Sequence, residues 1–374
     1  MSILGVSIAD YALPMRDSWP SAEGPIRVRR GAILILEEED GRLGLGETAP
    51  WPGFGLESLA SSKAALALAA KRLIGLPPDE YLKSASELPR LAPVAAAPCA
   101  RHAIDLALHD LAARRAGISI ARLLGGDAAV GEVSANAVIP RATAARSAAL
   151  ARQAIEAGAA TIKLKVGGAP LSEDLARLLA VRAEIGAEAR LRIDANQAWS
   201  ENEAIEALSA MRPSDLEYCE QPVAAAAVES LARVRAAAGV AIAADESVRD
   251  LATARKILDA GAADVLIVKP MALGGLHAAH AIAMLARERG AEVVVTSLLE
   301  SAVGRAGAAH LAASLGATQH AHGVAADQAL ERDLVDAAEG RRYRVPIADA
   351  PGLGLLLDLG PLAADTRPLA AAEP

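Results

Sequence analysis

Aromatic side chains are nearly missing from this chain, which has three tryptophans, four tyrosines and one phenylalanine among 374 residues. A large core must therefore be built from Ala, Leu, Val and Ile, in keeping with a hydrophobic share of 53%. Cysteine is scarcer still. Cys99 and Cys219 stand far apart and without metal-type spacing, which excludes a disulfide framework and points to a reducing compartment. Positive charge is not in excess either: the net charge is −8 and no Lys/Arg cluster occurs, so nucleic acid is not an expected partner. Arg, Glu and Asp break the Ala-rich stretches well before membrane-spanning length, and the first ten residues hold no basic n-region. The expectation is a soluble, cytoplasmic protein with no membrane partner.

At this length one large domain plus a smaller one is expected. Residues 1–127 read as an α+β capping domain. Ile3 to Tyr11 and Arg27 to Glu38 form strands, and Asp40-Gly41 turns the second into Leu43–Glu47. Two turn-rich stretches, Pro14–Pro25 and Pro50–Gly55, are too long for simple hairpin loops and hold Trp19, Trp51 and Phe54. Loops of this kind are either binding lids or surface segments pinned by their aromatics. Helical periodicity covers Leu56 to Leu124, with Ala103, Leu106, Ala107 and Leu111 on one face. Residues 341–374 are expected to pack back on the capping domain, with a disordered tail.

Residues 128–340 change rhythm. Strand ends fall near Pro140, Val166, Asp194, Glu220, Asp245, Lys269, Ser297 and His320, with Ala-rich helical segments between them. Such alternation predicts a (β/α)8-type barrel, or its (β/α)7β variant, better than an open sheet or an α-solenoid. Thr161–Val166 carries two lysines on one strand face, Lys163 and Lys165, because side chains alternate. A solvated edge strand would do the same. On a buried face, however, repulsion and desolvation both favour the neutral amine, a usable base. The next three strands end in Asp194, Glu220 and Asp245, at the face where barrels keep active sites. One such acid could be a helix N-cap. Three in register imply a hard divalent cation held by oxygen alone, Mg2+ by preference. Lys269 closes the sixth strand, four places round the ring from Lys165 on the second, so the lysines flank the acids from opposite walls.

These pieces, taken in order, resemble the enolase superfamily and its muconate-cycloisomerase-like subgroup. The matching motifs are Lys163-Leu-Lys165, Arg192-Ile-Asp194-Ala-Asn196, Glu220-Gln-Pro222, Asp245-Glu246-Ser, Lys269-Pro-Met-Ala-Leu-Gly274-Gly275 and Leu299-Glu300-Ser. The resemblance implies α-proton chemistry on a small-molecule carboxylate, with Mg2+, or Mn2+ as a substitute, on Asp194, Glu220 and Asp245. Lys165 would move the proton. Lys269 would stabilise the flat intermediate from the far side, and Lys163 would tune Lys165 and orient the carboxylate. Asn196, Arg192, Ser297 and Glu300 are orienting candidates, and Trp51 and Phe54 would close over the substrate. Within the subgroup the motifs look most like o-succinylbenzoate synthases of menaquinone biosynthesis. Racemisation of N-succinylamino acids, dipeptide epimerisation and muconate-type cycloisomerisation are the alternatives, and a barrel without catalysis the alternative of another class. An Asp-x-Asp after the last strand, seen in many dipeptide epimerases, is replaced by Gln319-His320-Ala321-His322-Gly323, with Asp327 nearby. A homo-oligomer is left open.

Overall fold

The computed structural model describes residues 1–19, 25–78, 82, 94–325, 329–335, 342–355 and 366–372. Its N-terminal unit is a four-stranded antiparallel sheet in which β1 (Ile3–Trp19), β2 (Ile26–Glu38), β3 (Leu43–Thr48) and β13 (Thr366–Ala371) lie in the order β13-β1-β2-β3. β13 pairs with β1 from Gly5 to Ala9, so the chain near its C-terminus is an ordered edge strand instead of the expected disordered tail. A second correction concerns β1, which does not stop at Tyr11 but continues beside β2 through Pro14 to Trp19. Proline is tolerated there because β13 has already ended and no ladder partner needs the missing N–H on that edge. Instead the Pro14 carbonyl accepts from Glu331 N at 2.8 Å, and Met15 bridges Leu330, tying β1 to the chain beyond the barrel. Residues 20–24 of the first loop, and Asp327, lie outside the described residues.

The helix Pro98–Ala116 is buried almost all round, more fully than the one-faced pattern predicted. It lies between two apolar masses: Ala100, Ala103, Ile104, Ala107 and Leu111 face the capping sheet, while Cys99, Leu106 and Ala113 join the barrel core. Close approach needs glycine in the sheet, since a Cβ at Gly46 would collide with the Ala103 carbonyl. The helix's buried polar groups are used at the junction. Asp105 Oδ2 accepts from Leu276 N at 2.5 Å, capping the barrel helix Leu276–Glu288, and Asp110 accepts from Leu45 N and Leu353 N. The Gly274-Gly275 pair has its reason here, because a side chain on either would run into Arg101 or Asp105.

The barrel is a seven-stranded parallel sheet: β5 (Ala137–Ile139), β6 (Thr161–Lys165), β7 (Arg190–Asp194), β8 (Leu216–Glu220), β9 (Ile242–Ala244), β10 (Val265–Val268) and β11 (Glu292–Val295), in that order. The eighth strand expected to end at His320 is reduced to single bridges, Ala135 to His322 and Thr296 to Gly323. Through these the segment closes the ring between β5 and β11, and no helix follows it among the described residues, which gives the (β/α)7β form. Two histidines disrupt regular pairing there: the His322 ring, not a carbonyl, accepts from Val295 N at 3.0 Å, and His320 turns to Glu217. A short antiparallel pair, β4 (Glu132–Ser134) with β12 (Arg344–Pro346), covers the entry to β5. Among the described residues no helix is long and apolar enough to cross a membrane.

Candidate active site

Strand register assembles the site. Lys165 lies directly beside Asp194, and Asp194 beside Glu220, across β6, β7 and β8. Lys163 Nζ sits between two acids, 2.9 and 3.1 Å from the Glu220 oxygens and 3.1 Å from Asp194. Lys165 donates to Asp194 at 2.6 Å and to the Asn196 side-chain oxygen at 2.8 Å. On the other wall Lys269, just past β10, donates to Asp245 at 2.6 Å. Asp194, Glu220 and Asp245 are all at most 2% exposed. The structure thus brings together Lys165 and Lys269, Lys163, all three acids and Asn196.

The neutral amine expected from like-charge repulsion on the β6 face is not what this arrangement produces at Lys163, and Lys269 is held in its charged form as well. Burial alone would lower both, but carboxylates outweigh it: Glu220 and Asp194 raise Lys163, and Asp245, Glu220 and Glu246 raise Lys269. Asp194, which burial would raise, is held well below the usual carboxylate range by Lys165 and Lys163. Glu220 goes the other way, pushed up to about 7 by burial and by its neighbours Asp194 and Asp245. Glu246 adds a fourth carboxylate. One of its oxygens accepts from Asn196 at 3.1 Å and the other is buried without a partner. Four buried acids thus face three lysines, so negative charge is in excess and oxygen donors are the only ones offered. That donor chemistry fits a hard divalent cation. In the conformation described, lysine ammoniums stand between the acids, and among the described residues no three carboxylates are gathered round one point.

Strained turns hold these groups. Asn196, Gln197 and Gln221 follow their strands with φ of 43°, 67° and 36°, a region costly for residues with a Cβ. Gln221 repays its strain by bracing the next ligand loop: its side-chain oxygen accepts from Asp245 N at 2.9 Å and Ser247 N at 3.2 Å, and its amide donates to Ser247 Oγ.

The remaining candidates are distributed around this centre. Phe54 lies against Lys269, whose amine is 4.3 Å from the ring centroid. Trp51 lies under the Arg29 guanidinium, 5.2 Å away. The Ser297 hydroxyl donates to Gly323 O at 3.3 Å. Glu300 is buried one layer behind, pushed up to about 7 by burial and then by Glu47, and its carboxylate accepts from Leu298 N at 2.5 Å. Arg192 is not at the substrate level. It is fully buried beneath the acids, bonded to Glu217, to the Tyr218 hydroxyl at 2.6 Å and to Ala321 O at 2.9 Å, which makes it part of a polar plug in the barrel. Sequence reasoning had passed over Arg29, Glu47, Gln221 and Glu246. Only the last two stood inside recognisable motifs.

A closed parallel ring with acids on three successive strand ends, flanked by lysines and covered by an α+β cap, is the architecture of a barrel enzyme with its polar site at the strand ends. Residues 146–360 match the enolase C-terminal domain-like family and residues 6–125 the mandelate racemase / muconate lactonizing enzyme N-terminal domain. The chain belongs to the enolase superfamily, in its muconate-cycloisomerase-like subgroup. Among curated relatives it is 31% identical to the hydrophobic dipeptide epimerase of Enterococcus faecalis, over 84% of this chain and 88% of that one. It is 40% identical to the o-succinylbenzoate synthase of Thermobifida fusca, but over 54% of this chain and 62% of that one. The solved dipeptide epimerase of Enterococcus faecalis, complexed with Mg and the dipeptide L-Leu-L-Tyr, superposes with a TM-score of 0.85 at 30% identity, covering 95% of this chain and 99% of that one.

Proposed function

We propose that this enzyme epimerises the α-carbon of a carboxylate whose α-nitrogen is acylated, a dipeptide or an N-acylamino acid, by two-base proton transfer. The observation that carries the reading is the pair of amines on opposite walls, Lys165 anchored on Asp194 and Lys269 anchored on Asp245. Inversion at carbon needs removal from one face and delivery to the other. Lys165 Nζ takes the proton of one epimer while the Lys269 ammonium returns one from the far side, and the roles exchange for the other epimer. Lys163 and Asn196 fix the position of Lys165 and its acid. Asp194, Glu220 and Asp245 are the residues that would hold Mg2+, which supplies positive charge to the substrate carboxylate. Coverage of 84% to 95% of this chain by the epimerases, against 54% by the synthase, moves dehydration from the expected main reading to second place. What favours dehydration is the 40% identity over the synthase-like stretch, together with Lys269 set against an aromatic ring as a charge stabiliser.

The test offers wild type, Lys165→Ala and Lys269→Ala three kinds of substrate in D2O with Mg2+: L-Leu-L-Tyr and other dipeptides, N-succinylamino acids, and the succinyl-cyclohexadiene carboxylate that a synthase dehydrates. Epimerisation with α-deuterium uptake, abolished by either substitution, supports the proposal. Dehydration of the cyclohexadiene with no epimerisation of the others overturns it in favour of the second reading.

A further inference from the structure

Arg29 is 3% exposed near the start of β2, and every bond found for it goes to a backbone carbonyl. Nε donates to Leu299 O at 2.8 Å, one terminal nitrogen to Pro50 O at 3.0 Å and Arg30 O at 3.3 Å, and the other to Ala49 O and to Leu298 O at 3.2 Å. Apart from that of its neighbour Arg30, these carbonyls come from two places. Ala49 and Pro50 lead directly into the aromatic loop with Trp51 and Phe54, whereas Leu298 and Leu299 belong to the turn after β11. A buried guanidinium has several N–H groups to satisfy, and leaving one unpaired in the interior is expensive. Arg29 thus bonds to both segments at once, beside Glu47, which ties the strand before Ala49 to Ser301 N at 2.8 Å and Gly304 N at 2.7 Å.

Two further features show that this junction is built. Leu299 has φ of 60°, a conformation unfavourable for a branched residue, and its carbonyl accepts from Arg29 Nε at 2.8 Å. From the other side Ala49 N points at Met271 Sδ, 3.2 Å away, in the short helix that starts directly after Lys269. The loop is thus fastened to the ends of β10 and β11, and Phe54, four residues past Pro50, lies on Lys269. Among the described residues Lys165 has no such aromatic cover, and its side chain is 25% exposed against 12% for Lys269.

We infer that Arg29 is a positioning residue which seats the Ala49–Phe54 loop so that Phe54 shields Lys269, making the two proton carriers unequal in exposure. In the epimerase reading, on which the catalytic half of this inference rests, loss of the clamp slows the proton transfer served by Lys269 more than that served by Lys165.

The clamp is tested without substrate by competitive labelling of the folded protein with acetic anhydride, reading Lys269 and Lys165 peptides by mass spectrometry. Phe54→Ala should raise labelling of Lys269 several-fold and leave Lys165 unchanged. Arg29→Met should copy it, and Arg29→Lys, which keeps the charge but reaches fewer carbonyls, should fall between wild type and Arg29→Met. If Arg29→Met does not fold, Arg29→Lys alone decides. Labelling of Lys269 at the wild-type level in a folded Arg29 variant, or an equal rise at Lys163, Lys165 and Lys269, overturns the inference. In D2O with Mg2+ and both α-epimers of Leu-Tyr and of N-succinyl-lysine, α-exchange should fall several-fold for one epimer only. An equal fall for both epimers in an Arg29 variant overturns the catalytic half. No exchange by wild type removes the epimerase reading, while the labelling still decides the clamp.

Discussion

Acid should open this barrel at the seam between β11 and the eighth segment, and His322 is the reason. Its ring is 2% exposed, and Nδ1 accepts the Val295 N–H that a regular strand would have given to a carbonyl. Protonation removes that acceptor and places a charge in the interior. Burial first, then Arg192 and His320, push the imidazole down to about 3 from an ordinary 6.5. Because the folded-state value is the lower one, the unfolded chain binds the extra proton. The contribution is complete above the ordinary value and is lost as pH falls from there towards about 3. Linkage gives ~1.4 kcal/mol per unit, so the shift amounts to ~5 kcal/mol in full and ~2 kcal/mol between about pH 7 and about pH 5. The comparison is His322→Asn, whose amide oxygen stands where Nδ1 stands and does not titrate. Unfolding free energies from urea titrations at about pH 7, 6 and 5 should fall for both proteins, since His310, pushed down to about 4 by burial, is common to them. The variant should lose ~2 kcal/mol less over that range. Parallel losses in the two proteins would refute the reasoning and place the acid sensitivity elsewhere.

Chelation should abolish turnover and Mg2+ restore it, measured on whichever substrate the wild type accepts; full activity in chelator would remove the metal from the mechanism. Trp51→Ala and Phe54→Ala should raise KM or change substrate preference with little change in melting temperature, whereas unchanged kinetics with a lowered melting point would make these side chains mere pins for the loop. Gly46→Ala should destabilise by ~1–3 kcal/mol or more, because the new methyl group meets the Ala103 carbonyl and the long helix must shift. Thermal melting measures it, and a neutral effect would show that the cap can slide on the helix. Glu300 is raised, so its folded state holds the proton longer and stability falls as pH rises from the usual carboxylate range through about 7. Glu300→Gln, which keeps an acceptor for Leu298 N, should flatten that decline, and an unchanged pH profile would count against it.

The parts of the site that were legible in sequence are those whose geometry is local. Alternation along Thr161–Lys165 put both lysines on one face, and regular βα spacing put Asp194, Glu220 and Asp245 at one end of the ring. Depth was not legible. Arg192 precedes Asp194 by two residues and faces the same way, but in a strand two residues are one layer, so it lies beneath the acids among Glu217, Tyr218 and Ala321. Nor could the charge state of Lys163 be read, because the like charge of the KxK pair is near in sequence while the carboxylates that decide the matter arrive by register from other strands. Arg29 left no trace at all: its partners are carbonyls, which every residue has, and two of the five lie some 270 positions away.

Aromatic scarcity acquires a meaning from these contacts. With the barrel and cap filled by Ala, Leu, Val and Ile, large flat side chains are not needed for volume, and several occur where a charge is met. Tyr11 donates its hydroxyl to Glu47, Tyr218 takes Arg192 on both its ring and its oxygen, Trp51 lies under Arg29 and Phe54 against Lys269. A ring offers an ammonium or guanidinium an electron-rich face without adding a counter-charge. A carboxylate in the place of Phe54 would compete with Asp245 for Lys269, and an aliphatic residue would exclude water but leave the amine without a favourable partner on that side. The single phenylalanine of the chain therefore sits where, in the proposed epimerase reading, Lys269 needs cover without a second counter-charge beside Asp245.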